Sequence, residues 1–418
     1  MTTKDPPRTG DPAAAAAARR RTLRVVGSLY LVANTGYTFF FLTLGTILLD
    51  RGVPLGEVAL INVMGAIYFV RFLAGPVVDR FGLAGLGHYR GWLLLTQPAL
   101  IATLGGLAAV DPVADMPVML GLMAVLLTLS VFHDTALNGL VVGLLPAREH
   151  GIGNGVQMAS ASASLLIGSS GALLLYAHAG WTPTVLALAA VFVVPLAVLA
   201  RLSEPPPREV KRKAVPWPAL VRFFRNPRMA MWTFLVIPIF ATSEWLATAP
   251  QSAMLLSAGW ATDRIALAGS VSIAFQIVAA ITAGAAVTRY GAARPALVMG
   301  LMGVAGVAGL LPLATGHGAL VPAMAAMITV SVVYGAKVTW IAAVSMSQAR
   351  PSSAATDYTV PMSIEGIFVT AINSAGLGLA SVAGFGWTIG LAVVLAVAGT
   401  AVAPLWIRQG RLDGPGSP

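Results

Sequence analysis

Long apolar stretches separated by short polar turns make up most of this chain. About twelve of them reach the roughly 20 residues that a helix needs to cross the hydrocarbon core of a bilayer. The stretches fall at residues 23–49, 58–78, 91–110, 117–145, 153–176, 181–202, 229–249, 265–287, 295–313, 321–347, 358–382 and 387–407. The pattern therefore predicts an all-α membrane protein with about twelve transmembrane helices.

A repeated turn indicates that the chain has two equivalent halves. The turn after the second stretch has the spacing Gly-x-x-x-Asp-Arg-x-Gly and carries Gly75, Asp79, Arg80 and Gly82. The turn after the eighth stretch carries Gly284, Thr288, Arg289, Tyr290 and Gly291. Three further matches support the repeat. Leu48, Leu49 and Gly52 recur as Leu255, Leu256 and Gly259, and Thr128, Ser130 and Val131 recur as Thr329, Ser331 and Val332. Gly180, Trp181 and Thr182 recur as Gly386, Trp387 and Thr388. Two six-helix repeats of the same orientation are typical of secondary transporters.

The repeat divides the chain into five predicted segments. One six-helix bundle is expected at 23–202 and a second at 229–407. A basic linker with several prolines joins them at 203–228, and its arginines and lysines could also bind lipid headgroups. A disordered cytoplasmic tail is expected at 1–22 and a short tail at 408–418.

Composition and charge placement confine the chain to the membrane class. With 57% hydrophobic and 10% charged residues, its 418 residues have too little polar surface for a soluble protein. Arg51 and Arg264 lie in loops on one side, and Arg71 and Lys337 lie inside apolar stretches. All other lysines and arginines share the side of the two termini. Since cytoplasmic loops are enriched in basic residues, both termini are predicted to be cytoplasmic, and the net charge of +10 does not indicate a nucleic-acid partner.

The sequence shows no sign of catalysis or of a bound cofactor. The chain has no cysteine, and its five histidines have no metal-ligand spacing. It also lacks a phosphate-binding glycine loop followed by Lys and Ser or Thr. We therefore predict that the protein is not an enzyme and holds no cofactor or metal.

Several motifs resemble a known transporter family. The turn at 75–82 resembles the signature loop of the major facilitator superfamily. A closer resemblance, to the AmpG-like permeases, rests on RFLAGPVVDR at 71–80, RGWLLLTQ at 90–97, DTA at 134–136, LLP at 144–146 and GIGNGVQ at 151–157. The resemblance implies the major facilitator fold, with two six-helix bundles that rock about a central site to give alternating access.

The family resemblance also implies a substrate class. AmpG-like permeases import muropeptides, and a shorter branch imports siderophores such as pyochelin and rhizobactin. The chain length and the run 151–157 resemble the siderophore branch. We therefore expect a monomeric, proton-coupled importer of a siderophore or its metal chelate in a bacterial inner membrane. The alternatives are a muropeptide importer and a membrane-embedded sensor that does not transport.

Five charged residues inside apolar stretches are the main functional candidates, because such groups need a partner or a wet cavity. They are Arg71, Asp134, Glu244, Lys337 and Glu365. Asp134 and Lys337 lie at corresponding heights of the fourth and tenth helices, which line the central cavity in the superfamily. We expect them to face each other there; the alternative is that each is bonded within its own half.

The other three charges suggest a gate and a proton carrier. Arg71 and Glu365 lie at similar heights in the second and eleventh helices, which meet across the two halves in this fold. They are expected to form a gating pair unless Arg71 extends to the membrane surface. Glu244 then lacks a basic partner and becomes the leading proton carrier, with Asp134 second. The alternative is that Glu244 is hydrogen-bonded near the outer surface.

Two further groups of residues complete the predicted site. The charged turn, with Asp79, Arg80 and Arg90, is interpreted as a lock between helix ends that acts in gating. Aromatic and amide side chains on the presumed cavity helices are candidates for substrate contact, although membrane-interface belts and helix packing also explain such residues. The candidates are Tyr37, Phe40, Trp245, Tyr334 and Trp340, with Asn34, Gln97, Asn154 and Gln157 as weaker ones.

Overall fold

A computed structural model describes residues 12–53, 64, 67, 70–82, 85–202, 204, 223–350 and 353–412. All regular secondary structure in these residues is helical. Ten of the described helices are long and apolar enough to cross a membrane. The prediction of an all-α membrane protein is therefore confirmed.

The main helices follow the predicted stretches closely. In the first half they are α1 (Pro12–Thr38, continued by Phe39–Leu44 and Gly45–Asp50), α2 (Val70–Leu73 and Ala74–Arg80), α3 (Tyr89–Ala108), α4 (Met116–Leu144), α5 (His150–Leu165, Leu166–Gly171 and Ala172–Ala179) and α6 (Trp181–Ala200). In the second half they are α7 (Pro227–Met231, Trp232–Val236 and Ile237–Thr248), α8 (Thr262–Tyr290), α9 (Ala293–Ala308), α10 (Leu320–Gln348), α11 (Ala354–Ala383) and α12 (Phe385–Leu412).

The amino-terminal boundary differs from the prediction. Helix α1 begins at Pro12, so the predicted disorder of 1–22 is wrong for residues 12–22. The alanine run that follows Pro12 has the highest helix propensity, and proline is well placed in a first helical turn. Most of the predicted second span before residue 70, most of the linker and the last residues of the chain lie outside the described residues.

The two halves share an apolar core at one end of the bundle. We call this the linker end, because Ala200 and Pro227, the helix ends that flank the linker, lie there. Leu29 and Leu137 of the first half belong to one buried cluster with Trp340 of the second. Toward the opposite end, each half has its own cluster, one built mainly on α1, α3, α4 and α6 and the other mainly on α7, α9, α10 and α12. The described residues therefore join the halves at the linker end.

Glycines bring the helix backbones of the two halves into contact at the linker end. A Cβ added to Gly75 of α2 would lie 2.8 Å from the Cα of Thr356 in α11. A Cβ added to Gly155 of α5 would lie 2.7 Å from the carbonyl oxygen of Ala280 in α8. The repeat makes these two contacts equivalent, because α8 is the counterpart of α2 and α11 the counterpart of α5. A side chain at either glycine would hold the halves apart.

A loop at the opposite end is held by charge. Asp111, between α3 and α4, accepts hydrogen bonds from the backbone N–H groups of Ala114 (2.8 Å) and Val113 (2.9 Å). Its carboxylate also binds the Arg51 guanidinium at the end of α1, at 2.6 Å. These donors, the Ala114 and Val113 N–H groups foremost, lower the pKa of Asp111 to about 2. Asp111 is therefore ionised, and able to pair with Arg51, at pH values above about 2.

Substitution of Gly75 tests the linker-end contact. Gly75→Ala should favour the state that is open at this end, because its methyl group has no room beside Thr356. Overpacking of this kind costs about 1–3 kcal/mol, so the ratio of open to closed molecules should rise about fivefold or more. The chain has no cysteine, and Ala342 lines the central cavity. A cysteine placed at Ala342 should therefore react faster with a charged thiol reagent added from the linker side.

Gly143→Ala is the matched control, because a Cβ at that helical position meets no atom within 4 Å. Labelling that is equally slow in both variants would contradict the role assigned to Gly75.

Candidate functional site

A cavity of about 320 Å³ lies between the two halves. Its walls come from α1, α2, α4 and α5 of the first half and from α10 and α11 of the second. The polar residues that line it are Asn34, Tyr37, Arg71, Asp134, Asn138, Asn154, Gln157, Tyr334, Tyr358, Ser363, Glu365 and Thr370. One guanidinium, two carboxyls, four amides and three phenols therefore converge in a space enclosed by apolar helices.

Arg71 is the charged group that connects the two walls. Its guanidinium pairs with the carboxylate of Asp134 at 3.4 Å, within the first half. The same side chain donates to the backbone oxygen of Met362 at 2.9 Å and to the hydroxyl of Ser363 at 3.2 Å, both on α11. Arg71 therefore links α2 and α4 to the opposite half.

A chain of hydrogen bonds continues from Asp134 across the cavity. Asn138, one helical turn further along α4, donates to Asp134 at 3.2 Å. The Asn138 side-chain oxygen accepts from the Tyr30 hydroxyl at 2.8 Å and from Gln157 at 3.4 Å. The Tyr358 hydroxyl of α11 lies 2.9 Å from the Gln157 side-chain oxygen and closes the path to the second half.

Sequence reasoning missed the roles of Asn138, Tyr30 and Tyr358 in this network. One signal was present, because Asn138 lies four residues after Asp134 and so shares its face of an apolar helix. Asn154 and Gln157, three residues apart on α5, show the same kind of pattern, and both line the cavity. Polar side chains at helical spacing in an apolar helix mark the wet face.

The expected pair of Arg71 and Glu365 is not formed in this structure. Both residues line the cavity, but Arg71 reaches Asp134 instead. In the described part of the chain, no hydrogen bond or ion pair involves Glu365, whose surface is 9% exposed. The expected meeting of the second and eleventh helices is confirmed, because Arg71 bonds to Met362 and Ser363 of α11.

Lys337 pairs with Glu244, and the expected pairing of Asp134 with Lys337 is wrong. The Lys337 ammonium lies 2.9 Å from both Glu244 carboxylate oxygens and donates to the backbone oxygen of Phe240 at 2.7 Å. The ammonium also lies 4.5 Å from the centre of the Phe240 ring. Both charged groups are 1% exposed and do not line the cavity. Glu244 therefore has a basic partner, and the alternative that Asp134 and Lys337 are bonded within their own halves is correct.

The predicted aromatic and amide candidates divide into two groups. Asn34, Tyr37 and Tyr334 line the cavity. Four others are buried in packing contacts away from it, so their expected place in the cavity is wrong. Phe40 lies in the core of the first half, and Trp245 is buried on α7. Gln97 donates to the Phe192 backbone oxygen at 2.8 Å, and Trp340 donates to the Ala292 backbone oxygen at 2.8 Å. Helix α7 contributes no described residue to the cavity wall, which explains the outcome for Trp245.

Asp79 joins the two halves at the linker end. Its carboxylate accepts from the Thr356 hydroxyl (2.6 Å), the Thr356 N–H (2.8 Å) and the Ala355 N–H (3.1 Å), all in the first turn of α11. It also accepts from the Tyr89 hydroxyl at 2.6 Å. A carboxylate at a helix N-terminus meets otherwise unpaired N–H groups and the positive end of the helix dipole. At the repeat-related position, the Thr288 hydroxyl accepts from the Ile152 N–H at 2.9 Å.

The other basic residues near the lock have different contacts. Arg90 donates to the backbone oxygens of Leu199 (3.2 Å) and Ala200 (2.9 Å), so it fastens α3 to α6 within the first half. Arg80 is exposed and lies over the Phe81 ring, 5.4 Å from its centre. Neither residue contacts the second half through a bond that the described residues record. Gating through Arg80 and Arg90 remains a prediction.

No group of three or more His, Cys, Asp or Glu side chains in the described residues could hold a metal ion. In the cavity itself, Asp134 and Glu365 are the acidic residues, and Asp134 already binds Arg71 and Asn138. The wall is suited to recognising a ligand through hydrogen bonds and charge.

Comparison with known proteins agrees with this architecture. The chain belongs to the Major Facilitator Superfamily, whose sequence model matches residues 26–376. It is therefore a multi-pass secondary transporter of that superfamily, whose members are generally not enzymes. The fold is similar to that of FucP in the outward conformation (TM-score 0.67, 14% identity, covering 93% of this chain and 98% of that one). A bacterial homologue of the iron transporter ferroportin gives a TM-score of 0.67 at 15% identity, covering 93% and 99% of the two chains.

Curated relatives are distant. An uncharacterized protein of Haemophilus influenzae is 23% identical over 295 residues, which is 68% of this chain and 69% of that protein. Anhydromuropeptide permease of Escherichia coli is 22% identical over 262 residues, 60% of this chain. The match spans 52% of that permease, about half its length. The putative transporter AmpG 1 of Rickettsia prowazekii is 26% identical over 129 residues, 30% of this chain and 29% of that protein.

Substitution of Glu244 tests whether its pair with Lys337 is structural. Glu244→Gln should lower the free energy of unfolding by about 3–5 kcal/mol, because it leaves the Lys337 ammonium buried without a counter-charge. The double variant Glu244→Leu/Lys337→Met should recover most of that loss, since it removes both charges. Thermal unfolding of the purified protein in detergent measures both effects.

Glu149→Gln is the control, because Glu149 pairs with Arg19 at 3.5 Å on a half-exposed surface. Such a pair contributes about 0–1 kcal/mol. A Glu244→Gln variant as stable as this control would show that Lys337 does not depend on Glu244.

Proposed function

We propose that this transporter carries a small solute rich in hydrogen-bonding groups through the cavity between its halves, by alternating access and with proton coupling. The observation that carries the proposal is the cavity wall itself. Both halves contribute charged, amide and phenol groups to it, and Arg71 bonds to both. A ligand held there can contact both halves at once, which is what couples binding to their movement.

An anhydromuropeptide is the first candidate substrate. The support is that relatives of this chain include anhydromuropeptide permease, although at 22% identity and over about half of that protein. The amide and phenol groups of Asn34, Asn154, Gln157 and Tyr334 suit the hydroxyl, amide and carboxylate groups of a sugar-linked peptide.

A siderophore is the second candidate. The run at 151–157, which resembles the siderophore-importing branch, provides Asn154 and Gln157 to the cavity wall. Tyr37 and Tyr334 could stack on the aromatic rings that some siderophores carry.

The charges of the cavity motivate the proton-coupling proposal. The wall holds the Arg71 guanidinium and the carboxyls of Asp134 and Glu365. If both carboxyls are ionised, one negative charge in the cavity is uncompensated, and a single bound proton removes it. Glu244 is a weaker carrier than we expected, because Lys337 neutralises it outside the cavity. We therefore assign proton binding to Glu365, because the charge of Asp134 is balanced by its ion pair with Arg71.

The sidedness of the proposed cycle follows from charge placement. Cytoplasmic loops are enriched in Lys and Arg, so the linker end and both termini are assigned to the cytoplasm of a bacterial inner membrane. The contacts of Gly75 and Asp79 with Thr356 then seal the cytoplasmic side. Import requires these contacts to break after the solute and proton have bound. One chain supplies the whole wall, which supports a monomer as the working unit.

Uptake by reconstituted vesicles tests the substrate proposal. Anhydromuropeptides and a panel of free and ferric siderophores should be offered to proteoliposomes with and without an imposed pH gradient. We expect one class to accumulate above its external concentration, and only with the gradient. Empty liposomes give the background. Ligand binding without accumulation would instead support a sensor and contradict transport.

Substitution of Glu365 tests the coupling proposal. Glu365→Gln removes the titratable carboxyl but keeps its shape, so gradient-driven accumulation should fall to the equilibration level. Exchange of labelled for unlabelled substrate should persist, because it needs no net proton movement. Asp115→Asn is the control, since that carboxyl is exposed in a loop away from the cavity. Full gradient-driven accumulation by Glu365→Gln would exclude Glu365 as the proton carrier.

A further inference from the structure

A second, apolar groove lies on the outer surface of the second half. It has a volume of about 480 Å³ and runs between α8 and α9, with α10 as its floor. Small side chains on α8, including Ala279, Ala283 and Ala286, leave the trough open. Its rim residues Val278 and Val298 are 60% and 56% exposed, so they face the surroundings of the bundle. The groove shares no residue with the central cavity.

The length of the groove matches one leaflet of a bilayer. It extends along α8 from Tyr290 at the linker end to Phe275. The fifteen residue steps between them span about 22 Å at the helical rise of 1.5 Å per residue. A single leaflet is about 15 Å thick in its hydrocarbon part and about 20–22 Å thick with its headgroup region, half of the bilayer values. A lipid of the leaflet on the linker side could therefore lay an acyl chain along the groove.

Positive charge lies at the headgroup end of this groove. Arg294, at the start of α9, lines it and is exposed, and no hydrogen bond or ion pair of this side chain occurs in the described residues. Arg289 is also exposed, and its guanidinium lies 5.3 Å from the centre of the ring of Tyr290, which lines the groove. None of the described residues that line the groove is acidic. The apolar trough and the adjacent pair of arginines complement the two parts of an anionic phospholipid.

We propose that the groove between α8 and α9 is a binding site for an anionic phospholipid. One acyl chain lies over Ala283 and Ala286, and the phosphate binds Arg294 and Arg289. Basic residues at the membrane surface attract anionic headgroups, and each arginine favours an anionic over a zwitterionic lipid by about fivefold. Because α8 also carries Gly284, which contacts α5 of the other half, an occupied groove would brace the helix that closes the linker end.

Native mass spectrometry of the full-length protein in detergent tests this site. The probes are phosphatidylglycerol and phosphatidylcholine with identical acyl chains, and glycerol phosphate as a headgroup without chains. We expect phosphatidylglycerol to bind more tightly than phosphatidylcholine and glycerol phosphate not to bind. Arg294→Gln should lower the preference about fivefold, and Arg289→Gln/Arg294→Gln should abolish it. Arg225→Gln, also exposed at the linker end but outside the groove, should leave it unchanged.

Ala286→Phe tests the acyl-chain part by filling the trough, and Val298→Phe on the opposite rim does so if the first variant is poorly produced. Either substitution should weaken the binding of both lipids, while the preference for the anionic lipid persists. Equal binding of the two lipids by the native protein would overturn the proposal. So would a preference that survives the double arginine substitution, or a dimer whose second copy covers the groove.

Discussion

Helix backbones from the two halves touch at the linker end because glycines occupy the crossing points. Gly75 against Thr356, and Gly155 against Ala280, leave no space for a Cβ. In a membrane, apolar burial gives little drive for helix association, so close packing and hydrogen bonds must hold the halves together. Asp79 supplies these bonds at the first turn of α11. The closed linker end, the cavity beyond it and its two-sided wall all depend on this contact.

The placement of charge suits two bodies that must move relative to one another. Arg71 pairs with Asp134 in the first half, and Lys337 pairs with Glu244 in the second. Since each buried ion pair stays within one half, rocking need not separate opposite charges in a low dielectric. The links recorded between the halves are hydrogen bonds, such as those from Arg71 to Met362 and from Tyr358 to Gln157. These exchange more readily with water or with substrate.

The fold could be predicted from hydrophobic periodicity and the internal repeat, because membrane thickness sets the length of each helix and charged turns mark the helix ends. The same reasoning found the five intramembrane charges but assigned the wrong partners. Height along a helix follows from counting residues, whereas its rotation depends on packing against neighbours that are distant in sequence. Counting residues gives the height of Lys337 along α10, but its side chain turns toward Glu244 of α7. Phe40 likewise faces the core, while Tyr37, three residues earlier, faces the cavity.

Movement of the two halves is expected to open the linker end while each half stays intact. The cysteine-free chain allows spin labels at Arg148 on the first half and Arg289 on the second, both exposed at that end. The distance between the two labels can be measured by pulsed electron paramagnetic resonance in liposomes, with and without a transported substrate. The account predicts a short distance at rest and a second, longer population when substrate and a pH gradient are present. A single short distance that persists while the same vesicles accumulate substrate would contradict it.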